Sequence, residues 1–365
     1  MNIKESLNKD IPKIILVGCA KNEACYLPEW IFYHLSLGFS AVHIYINNTD
    51  DASVKLLDKI AAKFPVSYTI ADKLIESPPS DYIEKTNQEF FTSNRVQSVC
   101  YIDAYNRFDS GFDHIAFFDI DEFFYPLTAL KDLFLQTTHN TVNIKRFGWF
   151  NLAGDKHSFL NLDETALGAY DVFFKSIVPT GVSNLKIENE HTASIGGNTG
   201  ELDPSAIILH RVLRSKEEYL VLLARSTPQK TDLLVNGFKQ NRRGWTSRAS
   251  DRYPRDVDIF DNYKTRFKSF IKACDIEDEL ELSKQKLLDK YKTIKISIEM
   301  MKQQNTELVR SLNGLPINHV SLFKTFSHTI IWGGIKILFP NLILNHIGIK
   351  EYFLSKFSYT NGRRR

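Results

Sequence analysis

The chain has 365 residues, 43% hydrophobic and 24% charged, with 46 Lys and Arg against 43 Asp and Glu for a formal net charge of +3. That length holds one large or two modest domains, and the near-neutral balance excludes a protein built to coat nucleic acid. Four scattered cysteines (Cys19, Cys25, Cys100, Cys274) form neither a disulfide framework nor a C-x-x-C pair, and neither a signal peptide nor a membrane-spanning run is legible, so a cytoplasmic protein is expected.

The apolar run at 13–18 predicts a buried strand. A helix comes next, with Pro28 in its first turn, Glu29 favoured there by the dipole, Trp30, Ile31, His34, Leu35 and Leu37 at helical spacing, and Gly38 as the stop. Residues 41–47 alternate as a strand and end in the turn cluster Asn47-Asn48-Thr49-Asp50-Asp51. A helix is predicted at 53–62, a strand at 66–70, and a helix near 87–107 that leads into HIAFFDIDEFF. This alternation predicts an α/β domain with a mostly parallel sheet. Short strands are expected at 141–147, 172–178 and 206–210, and a charged helical stretch at 262–312. The expected division is a catalytic domain over 1–265 and a helical C-terminal region over 266–365.

The sharpest local feature is Asp119-Ile120-Asp121-Glu122 after four apolar residues. If the strand continues, positions i and i+2 share a face, so Asp119 and Asp121 converge at the carboxyl end of a parallel strand, where open α/β sheets place ligands. Two hard oxygen donors there suit Mg²⁺ or Mn²⁺ holding a diphosphate. The same pattern admits a phosphatase of the haloacid-dehalogenase type, with Asp119 as nucleophile and Asp121 as general acid, although Phe123 stands where that chemistry wants a small Thr or Val. An exposed acidic strand end is the bland alternative.

The order of motifs resembles glycosyltransferase family 92 (GT92-like, formerly DUF23) and related family-2-like bacterial enzymes. The matching residues are Lys21-Asn22-Glu23, Glu29-Trp30, Tyr33-His34, Gly38, Asn47-Asn48-Thr49-Asp50, Gln97 and Asp119-Ile120-Asp121-Glu122-Phe123. Further on, KSIVPTGV with His191 and LHRVLRSKEEY are similar to family segments, with Arg211 in place of a Tyr, and Arg243-Gly244 matches a late R-G pair. FGWFNLAGDKHS is similar to an F-G-S-S-G-H segment whose serines and His are not kept. The resemblance implies a GT-A (Rossmann-like) fold with a C-terminal helical extension, and transfer of a sugar from a nucleotide diphosphate, a UDP-sugar, with inversion. It implies nucleotide-sugar contacts from Lys21, Asn22, Glu23, Asn47, Asn48, Asp50, Gln97, Asp119 and Arg243, and a Mn²⁺ or Mg²⁺ site made by Asp119, Asp121 and His210. Turn stabilisation and helix capping are the competing roles for Glu23 and the Asn47–Asp51 turn, and an ordinary satisfied imidazole for His210. An inverting transfer needs a carboxylate base; Asp155, in a Gly-containing loop, is the first candidate, with Glu188 and Glu190 as rivals. A non-catalytic glycan-binding member of the same fold is the remaining alternative.

Two basic segments bear on partners. Residues 240–255 place Arg242, Arg243, Arg248, Arg252 and Arg255 beside Trp245 and Tyr253, a pattern that admits single-stranded nucleic acid, donor phosphates, a phosphorylated glycolipid acceptor or a solvated loop; with the sugar-transferase resemblance, no nucleic-acid partner is expected. Residues 320–365 carry seven Lys or Arg against Glu351 alone and are rich in Ile, Leu, Phe and Trp. They read either as a peripheral contact with an anionic inner-membrane face or as a helical hairpin packed on the core. The expected setting is lipopolysaccharide or capsule biosynthesis.

Overall fold

The structure, a computed structural model, describes residues 12–135, 144–163, 166–224, 245–247, 249, 251–253 and 258–301. Of these, residues within 1–149, 173–210 and 255–284 form one compact unit, and those within 150–172, 211–254 and 285–365 a second. The boundary expected near 265 falls in a helix of the first unit. Residues 302–365, the basic tail included, lie outside the described residues, as does the start of the strand expected at 141–147. No helix among the described residues is long and apolar enough to cross a membrane.

The first unit opens with β1 (Ile14–Ala20), buried at all positions but Cys19, and α1 (Leu27–Leu37). Gly38 stops α1 with φ 104°, a left-handed conformation that lets the amides of Gly38 and Phe39 close on the carbonyls of Leu35 and His34. The next elements are β2 (Ala41–Ile46), α2 (Ser53–Ala61), β3 (Val66–Ile70), α3 (Asp72–Glu76), α4 (Gln88–Ser93), α5 (Arg95–Phe108), β4 (His114–Phe117), β5 (Glu122–Pro126) and α6 (Leu130–Leu135). Strands β6 (Lys145–Leu152) and β7 (Leu167–Pro179) come after these, then β8 (Leu185–Ile187) and β9 (Ala193–Ile195), which pair as a hairpin, β10 (Glu201–Leu202) and β11 (Ala206–His210). The sheet order is β3-β2-β1-β4-β7-β6-β11-β5, with β10 on β6. The pairs β1–β2, β2–β3 and β1–β4 are parallel, and β4–β7 and β5–β11 antiparallel. The expected α/β fold is borne out, with its parallel character concentrated in the first four of these strands. Side chains of α5 such as Val99, Cys100 and Ile102 bury against Val17, Ile115 and Phe117 of the sheet. Each such burial stabilises the fold by roughly 1.5–3 kcal/mol.

Two expectations change. The single helix foreseen at 87–107 is broken at Asn94 (φ −131°, ψ 52°), and Asn87 caps α4 by accepting from the amides of Glu89 and Phe90. The strand expected to run through Asp121 stops at Phe117, because Glu122 N–H closes a turn on the Asp119 carbonyl at 3.0 Å. The chain leaves this turn as β5, and α1 fastens that strand. Trp30 Nε1 donates to the Glu122 carbonyl (2.8 Å), Tyr33 Oη to the Phe124 carbonyl (2.9 Å), and Phe124 N–H to His34 Nε2 (3.2 Å). His34 Nδ1 reaches the Trp30 carbonyl at 2.8 Å. Burial pushes the His34 pKa down to about 3, against a smaller upward pull from the Trp30 carbonyl, so the ring is neutral with Nδ1 donating and Nε2 accepting.

In the second unit, α7 (Lys216–Ala224) begins in a reciprocal capping box: Ser215 N–H donates to Glu218 Oε2 and Glu218 N–H to Ser215 Oγ. The strand β12 (Asp251–Arg252) pairs antiparallel with the first residues of β7. The C-terminal helices expected from the charge pattern are α8 (Tyr263–Cys274) and α9 (Glu277–Met301). Tyr219, Leu220 and Leu223 of α7 cluster with Ile294 of α9 in the second unit.

Candidate functional site

Because β2, β1 and β4 are parallel neighbours, the turns after them come side by side at one edge of the sheet. The first two are Lys21–Ala24 and Asn47–Asp51, and they are sewn to each other. Asn22 N–H donates to Thr49 Oγ1 (3.1 Å), Asp50 N–H to Asn22 Oδ1 (2.9 Å) and Ala24 N–H to Asp51 Oδ2 (2.8 Å). Asp51 also accepts from Ser53 N–H, and Asn48 N–H donates to Asp72 Oδ1. Asn22 and Asn48 take positive φ (55° and 46°), which asparagine tolerates better than most residues. Lys21, Glu23 and Asn47 are buried at this edge. The turn-stabilising role weighed for the Asn47–Asp51 turn is present for Thr49 and Asp51.

The third turn, Asp119–Glu122, carries three carboxylates in four residues. Gly18 of β1 gives it room: a Cβ there would lie 2.9 Å from Ile120 Cδ1 and 3.3 Å from the Phe118 carbonyl. Gln97 Nε2, from the first turns of α5, donates to Asp119 Oδ1 at 2.7 Å, and Asn94 Nδ2 in turn holds Gln97 Oε1. From β7, the fully buried Lys175 places Nζ 3.1 Å from Asp119 Oδ2 and 3.2 Å from Glu122 Oε2. Glu122 Oε2 also accepts from Asp119 N–H at 2.8 Å. Burial drives the Glu122 pKa well up; Lys175 opposes this, while Asp119 and Asp121 add to it. Burial alone would lower the Lys175 pKa, but Asp119 and Glu122 outweigh it and raise it, so Lys175 stays charged.

Asp121 faces the end of β11. The β5–β11 register sets His210 opposite Glu122, and His210 Nε2 lies 3.8 Å from Asp121 Oδ1. Trp149 of β6 packs against His210 with ring centroids 4.0 Å apart. Trp149 also meets Phe173 of β7 at 5.4 Å and His191 at 5.1 Å. The three base candidates are placed differently. Asp155 is in the second unit, where its Oδ2 accepts from Arg211 Nη2 (2.7 Å) and Nε (3.2 Å). Glu188 accepts from Ser194 Oγ at 2.5 Å. Glu190 is 35% exposed and lies 3.8 Å from His191 Nε2. Burial first, then Asp119, Cys19, Glu122 and Glu190 hold the Tyr101 phenol well above its ordinary pKa. Arg243 lies outside the described residues.

No group of three or more His, Cys, Asp or Glu side chains converges as a metal site among the described residues. Asp119, expected as a metal ligand, has both oxygens engaged by Gln97 and Lys175, and the strand pleat expected to bring it beside Asp121 is absent. Asp121 and His210 bring a carboxylate and an imidazole within 3.8 Å of each other. That pair fits a divalent ion completing its shell with substrate phosphate and water. Two residues of this cluster escaped the sequence reading as site candidates. Lys175 is 56 positions from Asp119, and only the likeness of KSIVPTGV to a family segment marked it. Trp149 stood out solely as a departure from a serine.

Residues 20–162 match the model described as glycosyltransferase family 92. The resemblance read from the sequence is borne out over that span, and the chain is a glycosyltransferase. Among solved structures, a crystal structure of S. aureus TarS (1–349) is similar at 12% identity, covering 79% of this chain and 91% of that one, with a TM-score of 0.30. HddC from Yersinia pseudotuberculosis is similar at 10% identity, covering 71% of this chain and 99% of that one, with a TM-score of 0.24. No curated protein matches the sequence significantly.

Proposed function

We propose that the chain transfers a sugar from a UDP-sugar donor to a glycan or glycolipid acceptor in the building of lipopolysaccharide or capsule. The observation that carries this reading is the Asp121–His210 pair, set 3.8 Å apart beside an acidic turn whose other carboxylates are already balanced by Lys175. A divalent ion, Mn²⁺ or Mg²⁺, bound by Asp121 and His210 would take up the negative charge left on the diphosphate when the sugar–phosphate bond breaks. Asp119, fixed by Gln97 and Lys175, keeps lone pairs free to accept a ribose hydroxyl. The sewn turns of Lys21–Ala24 and Asn47–Asp51 supply a rigid wall for the nucleotide at the same strand ends.

Glu190 is the base in this reading, since Asp155 and Glu188 are bound to Arg211 and Ser194. Its carboxylate takes the proton of the acceptor hydroxyl as that oxygen bonds to the anomeric carbon; the bond from that carbon to the phosphate oxygen breaks, and UDP leaves with the electron pair. The test is Mn²⁺-dependent UDP release across a panel of UDP-sugars. Release from one donor, abolished by chelation and lowered about a hundredfold or more in Asp121→Asn, is the expected result. Failure of both UDP and Mn²⁺ to bind overturns the reading.

A further inference from the structure

Four rings meet where three neighbouring strands and one loop come together in the first unit. Phe173, Trp149 and His210 stand on β7, β6 and β11, adjacent in the sheet, and His191 reaches them from the loop between β8 and β9. Trp149 is the hub, with centroid distances of 4.0 Å to His210, 5.1 Å to His191 and 5.4 Å to Phe173; Phe173 and His191 are 5.3 Å apart at 35°. Phe173 is 41% exposed, whereas the rings about it are largely covered. An exposed phenylalanine in the middle of a strand leaves apolar area in water unless something covers it. His191 adds a neutral ring to the group: burial first, with Lys175 and His210, lowers its pKa to about 3.

The cluster is joined to the diphosphate end of the site through one residue. His210 packs on Trp149 with the two rings tilted at 43°, and its Nε2 lies 3.8 Å from Asp121 Oδ1. Whatever lies on Trp149 is therefore next to His210, one of the two residues proposed to face the diphosphate, with Phe173 one ring further out. In a nucleotide-sugar the group bonded directly to that diphosphate is a pyranose. Such a ring has an apolar C–H face, which complements the electron-rich face of an aromatic ring, and a polar rim, which suits His191 and Glu190.

We propose that Phe173 and Trp149 form a stacking platform for the pyranose of the donor, so that this cluster contributes sugar affinity separately from the nucleotide turns. The inference rests on the UDP-sugar reading above. Calorimetry on the full chain with Mn²⁺ compares UDP with UDP-glucose, UDP-galactose and UDP-N-acetylglucosamine in the native protein, Phe173→Ala and Phe173→Tyr. One UDP-sugar should bind the native protein more tightly than UDP does. Phe173→Ala should weaken that sugar by about two- to tenfold while UDP itself shifts less than about twofold, and Phe173→Tyr should restore the difference. The platform is overturned if Phe173→Ala leaves the sugar's advantage intact, if it weakens UDP equally, or if no UDP-sugar outbinds UDP in the native protein. If the native protein binds neither UDP nor any of the sugars, the donor reading itself falls and takes the platform with it.

Discussion

Two turn systems share one edge of the sheet and are held by opposite means. The pair Lys21–Ala24 and Asn47–Asp51 is held by many short side-chain bonds to backbone amides, each replaceable by water at modest cost. The Asp119–Glu122 turn carries three carboxylates in four residues and sets two of them, Asp119 and Glu122, against one buried ammonium. The first system degrades gradually as bonds are removed. The second is closer to all or none, because a carboxylate left buried without its counter-charge costs far more than one lost hydrogen bond.

The largest effect should come from breaking the second system at its cation. Lys175→Met leaves Glu122 fully buried without a partner charge, and chemical denaturation should read a loss on the order of 3–5 kcal/mol. Adding Glu122→Gln to that variant should recover a good part of the loss; no recovery would mean that the lysine stem, and not its charge, holds the turn. Acid should come next. The His34 pKa is lowered to about 3 in the fold and is about 6.5 when unfolded, so the unfolded chain takes up the proton first. Its contribution is complete above about pH 6.5 and shrinks as the pH falls, by about 2–3 kcal/mol at pH 4.5. Denaturation across pH 4.5–7.5 checks this, with a flat profile as the contrary result. The smallest effect belongs to the first system. Asp51→Ala removes the acceptor of the Ala24 and Ser53 amides and should cost about 1–2 kcal/mol in the same assay. A loss matching that of Lys175→Met would erase the distinction between the two turns.

The same contrast governs how much could be read from the sequence. The strands at 66–70 and 206–210 and the Gly38 stop were legible because apolar runs and a left-handed glycine are local signals. The asparagine turn was legible as a turn for the same reason. Asp119 and Asp121 announced themselves as carboxylates, but their geometry did not follow from the apolar residues before them, since Glu122 folds back on Asp119. The partners that decide their roles, Gln97, Lys175 and His210, come from three other elements, and no spacing along the chain encodes such a meeting. The break at Asn94 and the capping box of Ser215 and Glu218 carried local signals, an Asn between helical runs and S-x-x-E, that went unread beside the stronger apolar periodicity. The engagement of Asp155 was invisible, because Arg211 is far away in sequence.

The grip of α1 on β5 has a consequence for the molecule's behaviour in a crowded solution. The strand β5 is the last in its sheet, and such a strand ordinarily offers a row of open amides and carbonyls that a strand from another chain can extend. Here the Glu122 and Phe124 carbonyls and the Phe124 amide are taken by Trp30, Tyr33 and His34. Three side chains of one helix thereby stand in for a missing neighbour strand, and this margin of the sheet is closed to edge-to-edge aggregation.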